Sequence, residues 1–148
     1  MKKQAYTMAG ALAFTILFTV STARAQSANQ LVANIPFEFS AGGQMLPSGQ
    51  YAVSVTNPAS DQRVLHIRRL DGSKSTMLQV HSINGIAKDG ARLVFHRYGE
   101  RYFLAQAWTA AENIGMEATR SRAERAAGNE LAGNTRKVET VALTVKKN

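Results

Sequence analysis

The sequence predicts an all-β fold: a small antiparallel β-sandwich or barrel of about seven strands, with one short α-helix before the last strand. Three observations carry this reading. Apolar and polar residues alternate with a period of two over several short segments, the mark of strands with one buried face. Turn-forming pairs such as Asp71-Gly72 and Gly99-Glu100 separate those segments at short intervals. Only Ala110 to Ala132 is rich in Ala, Arg and Glu and poor in β-branched residues, so the helix belongs there.

In chain order, residues 1–25 form an address rather than a structural element. Lys2 and Lys3 precede an uncharged apolar run from Met8 to Val20, and Ala23-Arg24-Ala25 comes after it. This is the order of a cleaved secretory signal peptide with an A-x-A site. The run is too short for a membrane anchor, which needs about 20 apolar residues. Residues 26–148 are then expected to form one β-rich domain, exported to the periplasm or the exterior.

Leu31 to Ser40 alternates, with Leu31, Ala33, Ile35, Phe37 and Phe39 on one face. Pro36 lacks an N–H, which places this strand at a sheet edge. Leu46-Pro47-Ser48-Gly49 suits a type I turn, with Pro second and Gly fourth. Gln50 to Thr56 alternates again, Tyr51, Val53 and Val55 pointing inward, and Asn57-Pro58 ends it.

Asp71-Gly72 reads as a two-residue type I′ hairpin turn between Gln62–Leu70 and Ser73–Ile83. That register sets Leu65 opposite Leu78, Ile67 opposite Thr76 and Arg63 opposite Val80 on the core side. Val64, His66, Arg68, Met77, Gln79 and His81 take the other side. Asn84-Gly85 and Asp89-Gly90 mark the next connection.

Gly99-Glu100 reads as a type II′ turn between Ala91–Tyr98 and Arg101–Trp108. One face would carry Leu93, Phe95, Tyr102, Leu104 and Trp108; the other, Val94, His96, Phe103, Ala105 and Ala107. Both are largely apolar, so this hairpin should be covered on both sides. Ser121-Arg122-Ala123-Glu124 is a capping box opening a helix from about Arg122 to Ala127, stopped by Gly128. Val138 to Lys146 closes the chain as a strand.

The composition excludes several chemistries. The 148-residue chain has no Cys, so disulfides, thiolate metal sites, a cysteine nucleophile and a lipid-anchored Cys are all absent. The whole chain holds 18 Lys and Arg against 10 acids; removing Lys2, Lys3 and Arg24 leaves 15 against 10, a net of +5. That falls short of a nucleic-acid footprint and allows loose attraction to an anionic surface.

No catalytic residue, cofactor-binding residue or metal ligand can be assigned. His66, His81 and His96 lie fifteen apart. The expected hairpin sets His66 opposite Met77, about 13 Å along the strand from His81, too far to share one metal ion. No H-E-x-x-H, G-x-S-x-G, S-x-x-K, Walker or G-x-G-x-x-G pattern occurs. Glu38, Glu100, Glu112, Glu117, Glu124, Glu130 and Glu139 fall mostly in loops, the helix or solvent faces, and no pair stands out for acid–base work. Arg120, Arg122 and Arg125 cluster at the helix start; beside Glu117 and Glu124 they read as a solvated helix face, with an anionic surface or partner as the functional alternative. Tyr98, Tyr102, Phe103 and Trp108 read as core; exposure of Tyr102 or Trp108 would instead make a groove for an apolar ligand.

Four stretches occur together: Ile35-Pro36-Phe37-Glu38-Phe39; Leu46-Pro47-Ser48-Gly49-Gln50-Tyr51-Ala52-Val53; Arg97-Tyr98-Gly99 with Tyr102-Phe103-Leu104 and Trp108; and Ser121 with Glu124-Arg125. In this order they resemble a group of short, uncharacterised exported proteins of soil bacteria. The likeness covers about Val32 to Ala127 and implies a small secreted β domain without implying an activity. The L-P-x-G-x-Y-x-V piece alone is similar to turn–strand units of many exported β-sandwich domains, carboxypeptidase-regulatory-like modules among them.

The expectation is therefore an exported, non-catalytic β domain that binds an envelope protein or anionic surface, with no cofactor. Its binding edge would be the Pro36 strand or the C-terminal strand. A carrier of a small apolar ligand, with a pocket lined by the Tyr102 and Trp108 face, is the alternative. An envelope hydrolase is a third reading.

Overall fold

The computed structural model describes residues 30–60, 62–85, 90–109, 114–132 and 139–147. The expected signal segment 1–25 lies outside the described residues, as do Asp89 and Glu112. The strands are β1 (Leu31–Ile35), β2 (Phe39–Ala41), β3 (Gln44–Leu46), β4 (Gly49–Thr56), β5 (Arg63–Arg69), β6 (Ser75–Asn84), β7 (Arg92–Tyr98), β8 (Arg101–Trp108), β9 (Ile114–Ala118), β10 (Glu139–Thr144) and β11 (Lys146–Lys147). Among the described residues one helix, α1 (Arg122–Ala132), precedes the last two strands.

The fold is all-β, with more strands than the alternation indicates. Leu31–Ser40 is not continuous: β1 ends before Pro36 and β2 resumes at Phe39. A residue without an N–H cannot donate to a ladder, so the break falls there. The inward alternation survives it, with Leu31, Ala33, Ile35 and Phe39 all buried. The C-terminal strand also divides, at Val145. β3 and β9 have no counterpart in the alternation reading. β9 (Ile-Gly-Met-Glu-Ala) was hidden by its low β-propensity and its Ala-rich surroundings.

The strands form one mixed sheet in the order β10-β7-β8-β9-β6-β5-β4-β1-β11. The β2–β3 hairpin lies off this path, with β2 parallel to β8 at Phe39↔Tyr102. The path's two ends, β10 and β11, are consecutive in the chain. Glu139 to Thr144 pairs with β7, and Lys146 and Lys147 pair with Val32 and Leu31 of β1. Between them the Val145 N–H donates to the Ala91 carbonyl at 2.9 Å. The hydrogen-bonded path stays open, but one segment of chain reaches both of its ends. The C-terminal strands are therefore the edges of the path, as expected, whereas the Pro36 strand lies one position inside, covered by β11 at Leu31 and Val32.

Both hairpin registers near their turns are as the turn residues indicate. β5 and β6 set Leu65 opposite Leu78, Ile67 opposite Thr76 and Arg63 opposite Val80. The turn itself is different. Gly72 alone has a positive φ (+76°), and its N–H bonds to the Arg69 carbonyl at 3.0 Å. A type I′ turn needs positive φ at Asp71 as well. Asp71 instead accepts from the Ser73 hydroxyl at 2.7 Å and the Ser73 N–H at 2.9 Å. Those hydrogen bonds hold its carboxyl below the usual carboxylate range.

β7 and β8 pair from Tyr98↔Arg101 to Phe95↔Leu104, and the register then slips by one residue. Beyond the slip Val94 faces Gln106, Leu93 faces Ala107 and Arg92 faces Trp108. This β-bulge overturns the face assignment of the second half of β8. Ala107 belongs to the main core, and Trp108 lies on the outer face. Tyr102 packs toward the core, its ring stacked on Phe37 at 3.9 Å. Tyr102 and Trp108 therefore do not share a face.

The core is a network of edge-to-face aromatic rings. Phe39 meets Tyr51 at 5.3 Å and Phe95 at 5.4 Å, and all three are fully buried with Leu46, Ile67 and Leu93. Burying such a side chain contributes about 1.5–3 kcal/mol. The L-P-x-G-x-Y stretch closes onto this core. Leu46 is buried, Tyr51 Oη donates to the Pro47 carbonyl at 2.6 Å, and Arg69 lies against Gly49, where a Cβ would meet its Nε at 3.0 Å.

Helix α1 covers the outer face of the β7–β8 hairpin through a second, small cluster of Tyr98, Phe103, Ala127 and Leu131. The Ser121 Oγ accepts from the Glu124 N–H at 3.1 Å, the cap the sequence indicates. Gly128 does not stop the helix, which runs to Ala132. A Cβ at Gly128 would stand 3.5 Å from the Tyr98 ring, so this glycine sits in the helix–sheet contact.

Candidate functional site

The bulge in β8 organises the outer face. A bulge places two residues where the ladder expects one, and it re-aims the side chains beyond it. Gln106 and Trp108 thereby leave the core side. Trp108 lies flat across β9, where a Cβ at Gly115 would come within 2.7 Å of its ring. The Arg92 guanidinium caps the indole at 4.9 Å from the ring centroid.

A chain of hydrogen bonds then crosses three strands. Trp108 Nε1 donates to Gln106 Oε1 at 3.0 Å, and Gln106 Nε2 donates to Glu117 Oε1 at 3.2 Å. The other Glu117 oxygen, Oε2, meets His81 Nε2 at 3.1 Å. The strand registers dictate the last pairing, since His81 stands directly opposite Glu117 in the β6–β9 ladder.

A second group lies where α1 meets β7. Glu124 is only 4% exposed, although it is a carboxylate. Its Oε1 meets His96 Nδ1 at 2.8 Å and accepts from Tyr98 Oη at 3.2 Å. The Arg120 Nε is 4.0 Å from the same oxygen. A buried charge persists only where donors surround it. Burial, and next the Glu124 charge, push the Tyr98 phenol above its usual range.

The two groups flank one open cleft of about 320 Å³, lined by His81, Glu117, His96, Glu124 and Arg120. Ala105, Ala118 and Thr119 complete it. The short side chain of Ala105, in the bulge, is what leaves room between the polar walls.

The structure distributes the sequence candidates unevenly. His81 and His96 line the same cleft, whereas His66 lies on β5 opposite Met77 and Ser54. His81 and His96 turn to different glutamates, and no group of three or more His, Asp or Glu among the described residues is placed to hold a metal ion. Of the arginine cluster, Arg120 is at the cleft, Arg125 donates back to the Arg120 carbonyl at 2.6 Å, and Arg122 is exposed.

Sequence reasoning did not select Glu117 and Glu124 from the glutamates. One signal was available. Unbroken alternation sets Gln106 between Leu104 and Trp108 on the core face, and an amide there marks a slipped register. Nothing local signals the His96–Glu124 contact, because it joins a strand to a helix 28 residues away.

Compared with protein-family models, curated proteins and solved structures, the chain matches none. Among the described residues no helix is long and apolar enough to cross a membrane.

Proposed function

We propose that this protein is an exported, non-catalytic β domain of the cell envelope that acts by binding, and that its binding site is the outer cleft between β6 and α1. The observation that supports this most is how the cleft's ionisable groups are engaged. Glu117 holds His81 and Gln106, and Glu124 holds His96 and Tyr98. Such mutual pairing fixes the shape and polarity of a surface before any partner arrives, which lowers the ordering cost of association. The export reading rests on the charged, apolar and small-residue order of residues 1–25.

The apolar-carrier alternative asked for Tyr102 and Trp108 on one face, and they lie on opposite faces of β8. The strand-edge route keeps its C-terminal candidate, since β10 and β11 end the open path, whereas β11 covers the Pro36 strand at Leu31 and Val32. The cleft combines room with converging ionisable groups.

The test is co-sedimentation of the purified protein with envelope fractions, comparing the native chain with His81→Ala and Glu117→Ala. Both side chains are partly exposed, so the fold should persist in both variants. Retention by the native chain and its loss in both variants is expected. Equal retention by all three would remove the cleft from the binding surface.

A further inference from the structure

We infer that the cleft recognises an uncharged sugar ring, a single pyranose unit of a glycan. This rests on the binding reading above and names the chemistry of what the cleft holds.

The side chains lining the cleft set its hydrogen-bonding character. A carboxylate only accepts, so each imidazole nitrogen that meets one carries the ring proton. His81 therefore donates through Nε2 to Glu117, and His96 through Nδ1 to Glu124. Each ring keeps its second nitrogen, His81 Nδ1 and His96 Nε2, for a further partner. Those rings line the cleft beside two carboxylates, which accept, the Arg120 guanidinium, which donates, and the Thr119 hydroxyl, which can do both. The site asks for a ligand with both donors and acceptors.

Charge narrows the class. A small anion would meet two carboxylates. A small cation would meet the Arg120 guanidinium, which already stands 4.0 Å from Glu124. Hydroxyl groups on a rigid ring supply donors and acceptors without net charge, and several can be satisfied at once. Shape agrees. At about 320 Å³ the cleft is at the small end of ligand sites, suited to one ring and not to a long chain. The Ala105 and Ala118 methyl groups give the C–H face of such a ring an apolar patch to rest on.

Trp108 provides the readout. It is the only tryptophan, and its indole N–H is linked through Gln106 to Glu117 at the cleft wall. Displacing Glu117 by a ligand hydroxyl would change its emission.

The experiment titrates the purified protein with glucose, galactose, mannose and N-acetylglucosamine. Inorganic phosphate and putrescine are the anionic and cationic comparators. Trp108 fluorescence and the amide signals of Ala105, Ala118 and Thr119 are followed. Saturable binding of at least one pyranose at those amides is expected, at least tenfold weaker in His81→Ala and Glu117→Ala. Response to phosphate or putrescine alone would overturn the sugar class and leave the binding cleft standing. Silence toward every probe, with envelope retention still lost in the two variants, would do the same. Silence together with unaffected retention would remove both readings. Hydrolysis of a glycoside at this cleft would keep the sugar inference and overturn the non-catalytic one.

Discussion

Tyr51 donates its phenolic proton to the carbonyl of Pro47, four residues back, at 2.6 Å. The ring is fully buried against Phe39, yet its hydroxyl reaches the turn that begins β4. One side chain thus joins the core to the turn chemistry of its own motif. Replacing Tyr51 with Phe keeps the ring and leaves the Pro47 carbonyl without this donor. The expected cost is about 1–2 kcal/mol, read as a lower urea midpoint with unchanged slope. Tyr51→Ala, which also empties the core site, should cost about 3–5 kcal/mol.

Gly115 should tolerate no side chain while Trp108 lies across it. A Cβ there would fall 2.7 Å from a rigid ring fusion, not from a flexible chain end. Gly115→Ala is expected to cost about 1–3 kcal/mol, as overpacking does. Combined with Trp108→Leu the penalty should shrink, so the double-mutant cycle should show clear coupling. Additive penalties would mean that the indole does not lie on Gly115.

The two cleft glutamates should differ in stability terms. Glu124→Ala strips the partner from buried Tyr98 and half-buried His96, and about 1–3 kcal/mol of destabilisation is expected. Glu117→Ala acts on an exposed pair and should fall within about 0.5 kcal/mol in thermal melts. The binding assay should show the reverse emphasis, with Glu117→Ala defective although folded.

Alkaline pH should destabilise the fold through two phenols. Burial is the largest cause raising both Tyr51 and Tyr98 above the usual 10.0; the Arg69 charge opposes it at Tyr51, whereas Glu124 reinforces it at Tyr98. Above pH 10.0 the unfolded chain releases these protons while the native state retains them. The unfolded state then binds fewer protons, so stability falls as pH rises. Their contribution is complete below pH 10.0 and is lost as pH rises through the native values. Urea midpoints for Tyr98→Phe should start lower at neutral pH and fall less steeply in alkali.

Deleting residues 139–148 should expose two edges at once, those of β7 and β1. Unpaired strand edges recruit other chains. Size-exclusion chromatography with light scattering should show oligomers or aggregate in place of the native species. A well-behaved truncated monomer with native circular dichroism would show that this segment is dispensable.

Much of the β architecture could be read in advance because its determinants are local. The register of Leu65 with Leu78 comes from alternation and the Asp71-Gly72 pair, even though the turn differs in type. The pairing of His96 with Phe103 comes from Gly99, whose φ of +64° only glycine adopts readily. The cap at Ser121 was visible for the same reason, as donor and acceptor lie three residues apart.

The cleft depended on contacts between residues distant in sequence. The single-residue slip in β8 moved Gln106 and Trp108 to the outer face. Strand β9, weak in propensity, exists because β6 and β8 flank it and satisfy its backbone. Glu124 became a buried ligand of His96 and Tyr98 because α1 packs through Ala127 onto Tyr98 and Phe103.

The sequence by itself determined an all-β chain, most of its inward-facing positions and the registers beside its tight turns. These arise from side-chain alternation and turn stereochemistry, which act over a few residues. Only the tertiary structure decided that the C-terminal segment meets both ends of the sheet, and that two histidines and two glutamates frame one cleft. Those outcomes require hydrogen bonds and burial between segments tens of residues apart, and no local pattern encodes which segments will meet.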